Sequence, residues 1–540
     1  MKKQLLHIVT AVTLLTIPAT VLAQAPNLGT AANFVLFSTN GAVTNSGISQ
    51  LTGNVGTNNG SSTAFGNVNG VMHDGDGASG LCAADLLTAY NQLNTTIPTL
   101  FPAPLLGNGQ TLTSGVYSIG SAATLNLDLT LDGLGNSNAV WIFQIQGPLS
   151  TNANSKVKLT NGAKACNVFW KVEGLVDMAA GTSMKGTIIA NNAAINMNTG
   201  DTLEGRALST AGAVSVNGVL AYTPIGCGSL VLSGPAAPVL GAAACYAIFT
   251  SNGAVTNTGI TNVTGDVGSN TSAPTGYNPA FVAGTIHSPD GSTAASAADL
   301  LNAYNYVNTL PYDIELLYPA QFGNNLVLTP HTYRMNGAAS FTDTLYLNAQ
   351  GNANGVFVIQ INGALTTSTY SKVKLINGAQ SKNVFWKIEG GVNINNYSIF
   401  RGTIICNNGA LGAINTGVIF DGRALTTNGA LTTAAVDIIA TNIPANCMSV
   451  GIESFGKLSS NFKVYPNPFT TSINIDVNDM WQSNTCEFKI YNFAGVEVIN
   501  NHLTKQLSTI EINNLSSGIY FYKVLDGNKM LQTGKLISQQ

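Results

Sequence analysis

The side chains able to do chemistry are few, and the five histidines are the first to test. His73 stands with Asp74 and Asp76, and His287 stands three residues before Asp290, a grouping that suits a metal ligand or an acid–base pair. A polar loop with turn-forming Asp and Gly accounts for the same residues more simply. His331 and His502 have no counterpart elsewhere, and His7 falls in the leader described below. Glu173 and Glu389 follow matching Phe-Trp-Lys steps, and paired carboxylates are what glycoside hydrolysis requires. Each stands alone beside a glycine, so a strand-end carboxylate is the better reading, with Trp170 and Trp386 as core or flanking aromatics. Lys171, Asp177, Glu204 and Arg206 read as solvated charges or turn ion pairs. There is no H-E-x-x-H, no G-x-S-x-G and no phosphate-cradling glycine loop. The expectation is therefore a non-enzymatic protein without metal or cofactor.

Seven cysteines (Cys82, Cys166, Cys227, Cys245, Cys406, Cys447 and Cys486) show no C-x-x-C spacing for zinc. Structural use is expected. Cys227 with Cys245, or Cys406 with Cys447, are conceivable bridges after export, and the odd number leaves at least one thiol unpaired within the chain.

What remains is a surface rich in Thr, Asn, Ser and Ala, and its meaning depends on the elements that carry it. Charged residues make up 9% of the 540 positions, hydrophobic residues 45%, and 57 are glycine, a balance that fits a β-rich secreted protein rather than a membrane or disordered one. The net charge of -3, with no basic block, favours neither nucleic acid nor an anionic membrane as partner. Lys2 and Lys3 precede an apolar stretch from Leu5 to Leu22, broken by Pro18 and closing in Val21-Leu22-Ala23, which reads as a signal peptide over residues 1–23. No later segment is long and apolar enough to span a bilayer.

The chain then repeats itself. Thr39-Asn-Gly-Ala-Val-Thr-Asn-Ser-Gly-Ile48 returns at Ser251–Ile260, Asn167–Gly174 at Asn383–Gly390, and Gly205–Leu208 at Gly422–Leu425, with the offset growing only from 212 (39 to 251) to 217 (205 to 422). Two whole domains of one fold follow, 28–227 and 243–447, joined by a linker at 228–242. Short Val/Ile/Leu/Thr runs such as 187–190, 193–196 and 212–215 are punctuated by Asn-Gly and Thr-Gly, and this predicts strands stacked as a solenoid rather than a two-sheet sandwich. Ala83, Leu86, Leu87, Tyr90 and Leu93 fall at helical spacing, repeated by Leu300, Leu301 and Tyr304, so each domain carries one helix whose apolar face covers a flank of the stack.

The tail is different material. From Gly451 onward 14 of 90 residues are charged, against 33 in the preceding 450. After a linker at 448–460, residues 461–540 alternate as strands at Phe462–Tyr465, Ser472–Val477, Phe488–Tyr491 and Gly518–Val524, enough for a small β-sandwich. In the two large domains, stacked coils would set side chains about 4.8 Å apart between strands and roughly 6.7 Å apart along them. A flat Thr/Asn face of that kind could hold water in ice-like positions.

The ordered string Gly41–Ile48, Leu51–Gly56, the Ala-Ala-Asp-Leu helix, Leu112–Tyr117, Val140–Ile145, Asn167–Trp170 and Gly205–Leu208 resembles the microbial ice-binding-like family built on the DUF3494 domain, across both repeats. The resemblance implies an irregular right-handed β-solenoid with one long flanking helix, and adsorption to ice through one flat face. Stronger members of that family carry Thr-Ala/Gly-x-Thr/Asn steps. The corresponding steps here are Ala180–Ser183 with Thr182, Asn196–Thr199 with Asn198 and Thr199, Asn396–Ile399, and Ala413–Thr416 with Asn415 and Thr416. Met197, Tyr397 and Ile399 depart from the pattern and would disturb a flat array on that face. Thr44 and Thr52, with Thr256, Thr258, Thr261 and Thr264, are the better-spaced candidates. Val464-Tyr-Pro-Asn-Pro-Phe469, Leu515–Tyr520 and Gly534–Ile537 resemble the type A sorting domain of type IX secretion, which implies export across both membranes of a Bacteroidota-type cell and release or attachment at its surface. The expected partners are an ice surface and the type IX machinery. The alternative is an extracellular adhesin or matrix protein that binds cells or polysaccharide.

Overall fold

Short strands ended by glycine or asparagine corners cannot pair as hairpins when each is followed by a turn of the same hand, so they stack coil on coil in parallel register. A computed structural model describes residues 23–226, 232–447, 462–477, 486–492, 494–512, 514–527 and 529–539. The expected leader, apart from Ala23, and the expected 448–460 linker lie outside the described residues, and of the linker at 228–242 only 232–242 is described. The chain divides into two compact units, one ending at Cys447 and one beginning at Met448.

The first unit holds two stacks of parallel strands. One is built from a 13-stranded and an 8-stranded sheet, the other from a 15-stranded and a 7-stranded sheet. Each stack has three faces, because the larger sheet turns a corner. The eight-residue strands Ser183–Ala190 and Thr202–Ser209 bend midway at Gly186 and Gly205. A Cβ on Gly205 would lie 1.8 Å from the Gly186 carbonyl oxygen, so only glycine permits neighbouring coils to bend together there. Gly402 and Gly422 bend the matching strands of the second stack.

Inside each stack the alternate residues form the core. Tyr117, Phe143 and Trp170 make a continuous ring stack, with Phe143 and Trp170 4.1 Å apart between centroids. In the second stack Phe322, Trp386, Phe400 and Phe420 fill the same space. Both tryptophans named from the sequence are thus core residues.

Helix α1 (Gly77–Thr95) and helix α2 (Gly291–Thr309) each cover one face, as their spacing predicts. Asp76 caps α1 in a capping box with Ser79, and Asp290 caps α2 with Thr293. The last carbonyls of α1 are met from the sheet, where Gln144 Nε2 donates to Leu93 and Thr96, and Gln360 does the same for α2. The packed stripe is Ser79, Cys82, Leu86, Ala89 and Leu93. Leu87 and Leu301, assigned to that face by spacing, instead point outward and are 54% and 49% exposed, because the helices turn their small residues to the sheet and sit close to it.

The disulfide pattern departs from both pairs suggested by the sequence. Cys245 bonds Cys447, closing the second stack across 202 residues, and Cys166 is also disulfide-bonded. Cys406 ends an inner strand with its Sγ turned to the Gly390 and Gly409 carbonyls, so it is buried, free and out of reach of Cys447.

The two stacks meet end to end through amide side chains. Gln50 donates to the Asn324 carbonyl (2.7 Å), Asn67 donates to the Tyr318 carbonyl and accepts from its N–H, and Asn69 bonds Thr329 and Tyr333. Gln50 and Asn324 occupy one corner of their respective coils, while Asn69 and Thr329 occupy another. Two like corners oppose, so like faces lie on the same side of the unit.

The second unit is an antiparallel pair of sheets, three-stranded and four-stranded, around Phe462, Phe469, Ile473, Phe488, Ile490 and Val524. The strands read from the sequence lie within it, joined by Glu497–His502, Leu507–Glu511 and Lys529–Ser538.

Candidate functional site

The histidine and carboxylate clusters prove to be structural joints. His73 Nδ1 lies 2.7 Å from the capping Asp76 carboxylate, and its ring packs on Phe34. His287 repeats this with Asp290 and Tyr246 and adds Asp266 at 3.5 Å. No group of three or more potential metal ligands converges among the described residues. Glu173 accepts from Lys171 (2.5 Å), Asn191 (2.7 Å) and the Tyr90 hydroxyl (2.7 Å), which ties α1 to the sheet beneath it. Glu389 repeats the arrangement with Lys387, Asn407 and Tyr304. Burial alone would raise the Glu173 carboxyl, but the Lys171, Asn191 and Tyr90 donors outweigh it and hold it below the usual carboxylate range. Burial and the Glu173 carboxylate push Tyr90 up to about 12. Lys171 is 1% exposed and Arg206 7%, so these two are buried joints, not the solvated charges their sequence context suggested. Arg206 spans from Thr187 to the Ala32 carbonyl, and neither group faces open solvent.

The three faces of each stack differ in what they offer to a surface. One is covered by the helix. A second carries long, charged side chains: Lys158 pairs with Asp128 and Lys185 with Glu204 in the first stack, and in the second Lys374 lies over the Tyr346 ring on the face that also bears the exposed Ile419 and Ile439. The third, formed by the smaller sheet, is flat and short-chained.

On that flat face the outward residues of adjacent coils stand in lateral register. In the first stack they run Thr63, Thr44, Ser215, Asn196, Asp177, Ser150 and Thr124, and the row ends at the exposed Leu105. In the second they run Thr275, Thr256 and Thr432, then, past a bulge at Ala413, Asn393, Thr366 and Ser340. Inward neighbours such as Val43, Val214 and Ile195 lock the backbone into the core. The row is also tied along itself: Thr44 donates to Ser215 (3.2 Å), and the pairs Thr124–Ser150 and Thr256–Thr432 are each 3.1 Å apart. Threonine is stiff at χ1, so each hydroxyl is held in place before anything binds. The result is a ladder of hydroxyls and amides at the strand spacing of about 4.8 Å.

Of the residues singled out from the sequence, the structure puts Thr44 and Thr256 in this ladder and Thr258 at its margin. Thr52 and Thr264 lie on the charged face. Asn198, Thr199, Asn415 and Thr416 form corner turns beside the ladder. Thr182 and Thr261 are corrections: both are buried, Thr182 bonding Thr151 and Ala179 and Thr261 bonding Asn257, so neither can touch a surface. The three departures from the family pattern also resolve. Met197 faces the core and Ile399 the charged face, while Tyr397 sits at a left-handed corner stacked on Tyr370, 5.2 Å away. None interrupts the ladder.

The missed residues had a signal. Ala42-Val-Thr44, Ala213-Val-Ser215, Ala194-Ile-Asn196, Ala254-Val-Thr256, Ala430-Leu-Thr432 and Ala364-Leu-Thr366 share one step: small, buried apolar, then hydroxyl or amide. The ladders differ in charge at one rung, since Asp177 of the first stack corresponds to Asn393 of the second. Beneath the corner after Asn198 lies Asp201, fully buried, accepting from the N–H groups of Thr182 and Asn198. Burial drives its carboxyl up to about 6 against those bonds, with Asp177 adding to the rise.

Residues 37–219 and 249–439 match the ice-binding-like family, and residues 463–539 match the secretion system C-terminal sorting domain. A protein of Nostoc sp. (strain HG1) named ice-binding protein is 41% identical over 199 residues, 36% of this chain and 73% of that one. An ice-binding protein of Flavobacterium frigoris (strain PS1) is 31% identical over 213 residues, 36% of this chain and 75% of its own. The crystal structure of an ice binding protein from an Antarctic bacterium of the Flavobacteriaceae superposes with a TM-score of 0.77 at 61% identity, covering 77% of this chain and 99% of that one. The sorting domain directs the chain out of the cell, to the medium or the cell surface.

Proposed function

Because the chain belongs to the ice-binding-like family, we propose that it is an extracellular ice-binding protein, exported by the type IX machinery, that adsorbs to ice through the flat ladders of its two stacks. The observation that carries this reading is the ladder itself: seven short polar rungs of the first stack, ending at Leu105, and six of the second around the Ala413 bulge, with one charge among them. Ice offers a rigid lattice of donors and acceptors with no charge to complement. A surface matching it must be flat and pre-ordered, since every side chain immobilised on contact costs about 0.5–1.5 kcal/mol. Threonine, serine, asparagine and alanine on a locked sheet keep that cost low. The charged face carries the opposite chemistry, with long ion-paired side chains that hold their own hydration. Like faces lie on the same side of the unit, so both ladders can meet one crystal plane. No catalytic role is assigned to Glu173 or Glu389, whose partners are a lysine, an asparagine and a tyrosine rather than a second carboxylate.

The test is partition into a slowly growing ice front. The full chain is expected to concentrate in the ice, to shape crystals and to suppress recrystallisation. Exclusion from ice, together with retention on cells or polysaccharide, would overturn the reading in favour of an adhesin.

A further inference from the structure

Duplication leaves each stack with the same two ends, yet the junction inside the chain uses only one end of each. The first stack contributes the end bearing Asn67 and Asn69, and the second the end bearing Tyr318 and Thr329. Unused copies of both surfaces therefore remain. Register identifies them: Thr52 bridges Asn69 as Thr264 pairs with Ala283, so Phe281 stands where Asn67 stands. At the other end Phe101-Pro-Ala echoes Tyr318-Pro-Ala, and the Tyr117 hydroxyl donates to the Thr113 carbonyl as Tyr333 does to Thr329. Phe101 thus stands where Tyr318 stands.

At the internal junction the Asn67 side-chain amide is joined to the Tyr318 backbone by two hydrogen bonds. At the free ends both positions have become phenylalanine. Phe101 is 74% exposed, Ile97 beside it 81%, and Phe281 39%. The segments 96–115 and 267–286 contain no charged residue, and each includes strands at the open edge of its sheet: Leu105–Gly107 and Gln110–Thr113 in one, Val282–Ala283 in the other. Proteins normally blunt exposed strand edges with charge, which is missing here; prolines occur in these segments but also at the docked internal end, as Pro319 and Pro330, and exposed apolar clusters mark contact surfaces. The internal junction gives the docking register, and at the free ends the amides of Asn67 and Asn69 are replaced by Phe281 and Ala283, so apolar contact takes the place of amide bonds there.

We propose that copies of this chain associate end to end, the Phe281 end of one on the Phe101 end of the next, continuing the stacking of its own two halves. The contact joins two different surfaces, so it leaves one end open at each step and grows with concentration instead of closing as a dimer. It is independent of what the flat face binds.

Sedimentation velocity of the full chain, from low micromolar to submillimolar concentration, tests this. The weight-average mass is expected to rise with concentration. Phe101→Asp and Phe281→Asp, both at exposed positions, are each expected to stay monomeric with unchanged melting, and Ile97→Asp is expected to behave as Phe101→Asp. An equimolar mixture of Phe101→Asp and Phe281→Asp keeps one good end of each kind and is expected to form dimers and nothing larger. A wild-type chain that stays monomeric throughout, a single variant that grows like wild type, or a mixture that remains monomeric would overturn the proposal.

Discussion

Replacing Glu173 with glutamine leaves the Lys171 ammonium, 1% exposed beneath α1, without its counter-charge. Breaking a buried ion pair by removing one partner costs about 3–5 kcal/mol, because the remaining charge stays out of water. Glu173 is partly exposed, which admits some solvent and places the expected loss near the lower bound, about 3 kcal/mol. For a domain of this size one kcal/mol moves the melting midpoint by about 2–4 °C, so melting of the first stack should fall by roughly 6–12 °C. Removing both charges together, Lys171→Met with Glu173→Gln, eliminates the orphan and should recover most of the loss. Scanning calorimetry of the full chain, with the matching Glu389→Gln change as a second instance, reads both quantities. A Glu173→Gln variant as stable as wild type, or a double variant no better than the single one, would refute the reasoning and reopen Glu173 as a group held for chemistry rather than for packing.

Other consequences follow from the same geometry. Removing the Cys245–Cys447 bond by serine substitution frees a loop of 202 residues and should cost the second stack about 5 kcal/mol on the chain-entropy account, read as a lowered melting midpoint that reducing agent does not lower further. Asp201 has its folded carboxyl raised to about 6 from an ordinary 3.8, so its contribution is fully present below 3.8 and lost as pH rises through about 6. That loss amounts to about 3 kcal/mol, and Asp201→Asn should flatten the slope of first-stack stability across this window. Glu173 and Glu389, held below their ordinary value, contribute in the opposite sense, with stability present above 4.5 and lost as pH falls. Asp177→Asn removes the one charge from the first ladder and should increase thermal hysteresis, measured by nanolitre osmometry at matched concentration. A decrease would count against an uncharged face as the active one.

Much of the architecture is legible in the sequence because it repeats. The 212-to-217-residue echo marks two copies, and the Ala/Leu/Tyr spacing marks the helices. The faces are harder to read. A strand alternates with period two, but the coils differ in length, since one in each stack holds the helix, so no fixed sequence step carries a rung to the next. Thr182 and Thr261 look like their exposed neighbours in sequence and are buried only because their hydroxyls cap turns at the corners. Lys171 and Arg206 mislead for a related reason: Lys171 pairs with nearby Glu173 but is covered by the Tyr90 ring of the helix, and Arg206 reaches Ala32 on a distant coil. The ladder's signature is a local step, small residue then core residue then hydroxyl, and it becomes visible once register shows which strands stand side by side.

The central claim is that one face of three carries the binding. Bulky substitution at Thr256, Thr432 and Thr366 on the flat face, set against Lys372→Ala and Lys374→Ala on the charged face of the same stack, separates the two in a single thermal hysteresis series. Activity should collapse in the first set and persist in the second, with melting unchanged in both. Loss confined to the charged-face set, or full activity with all three threonines replaced by tyrosine, would contradict the account.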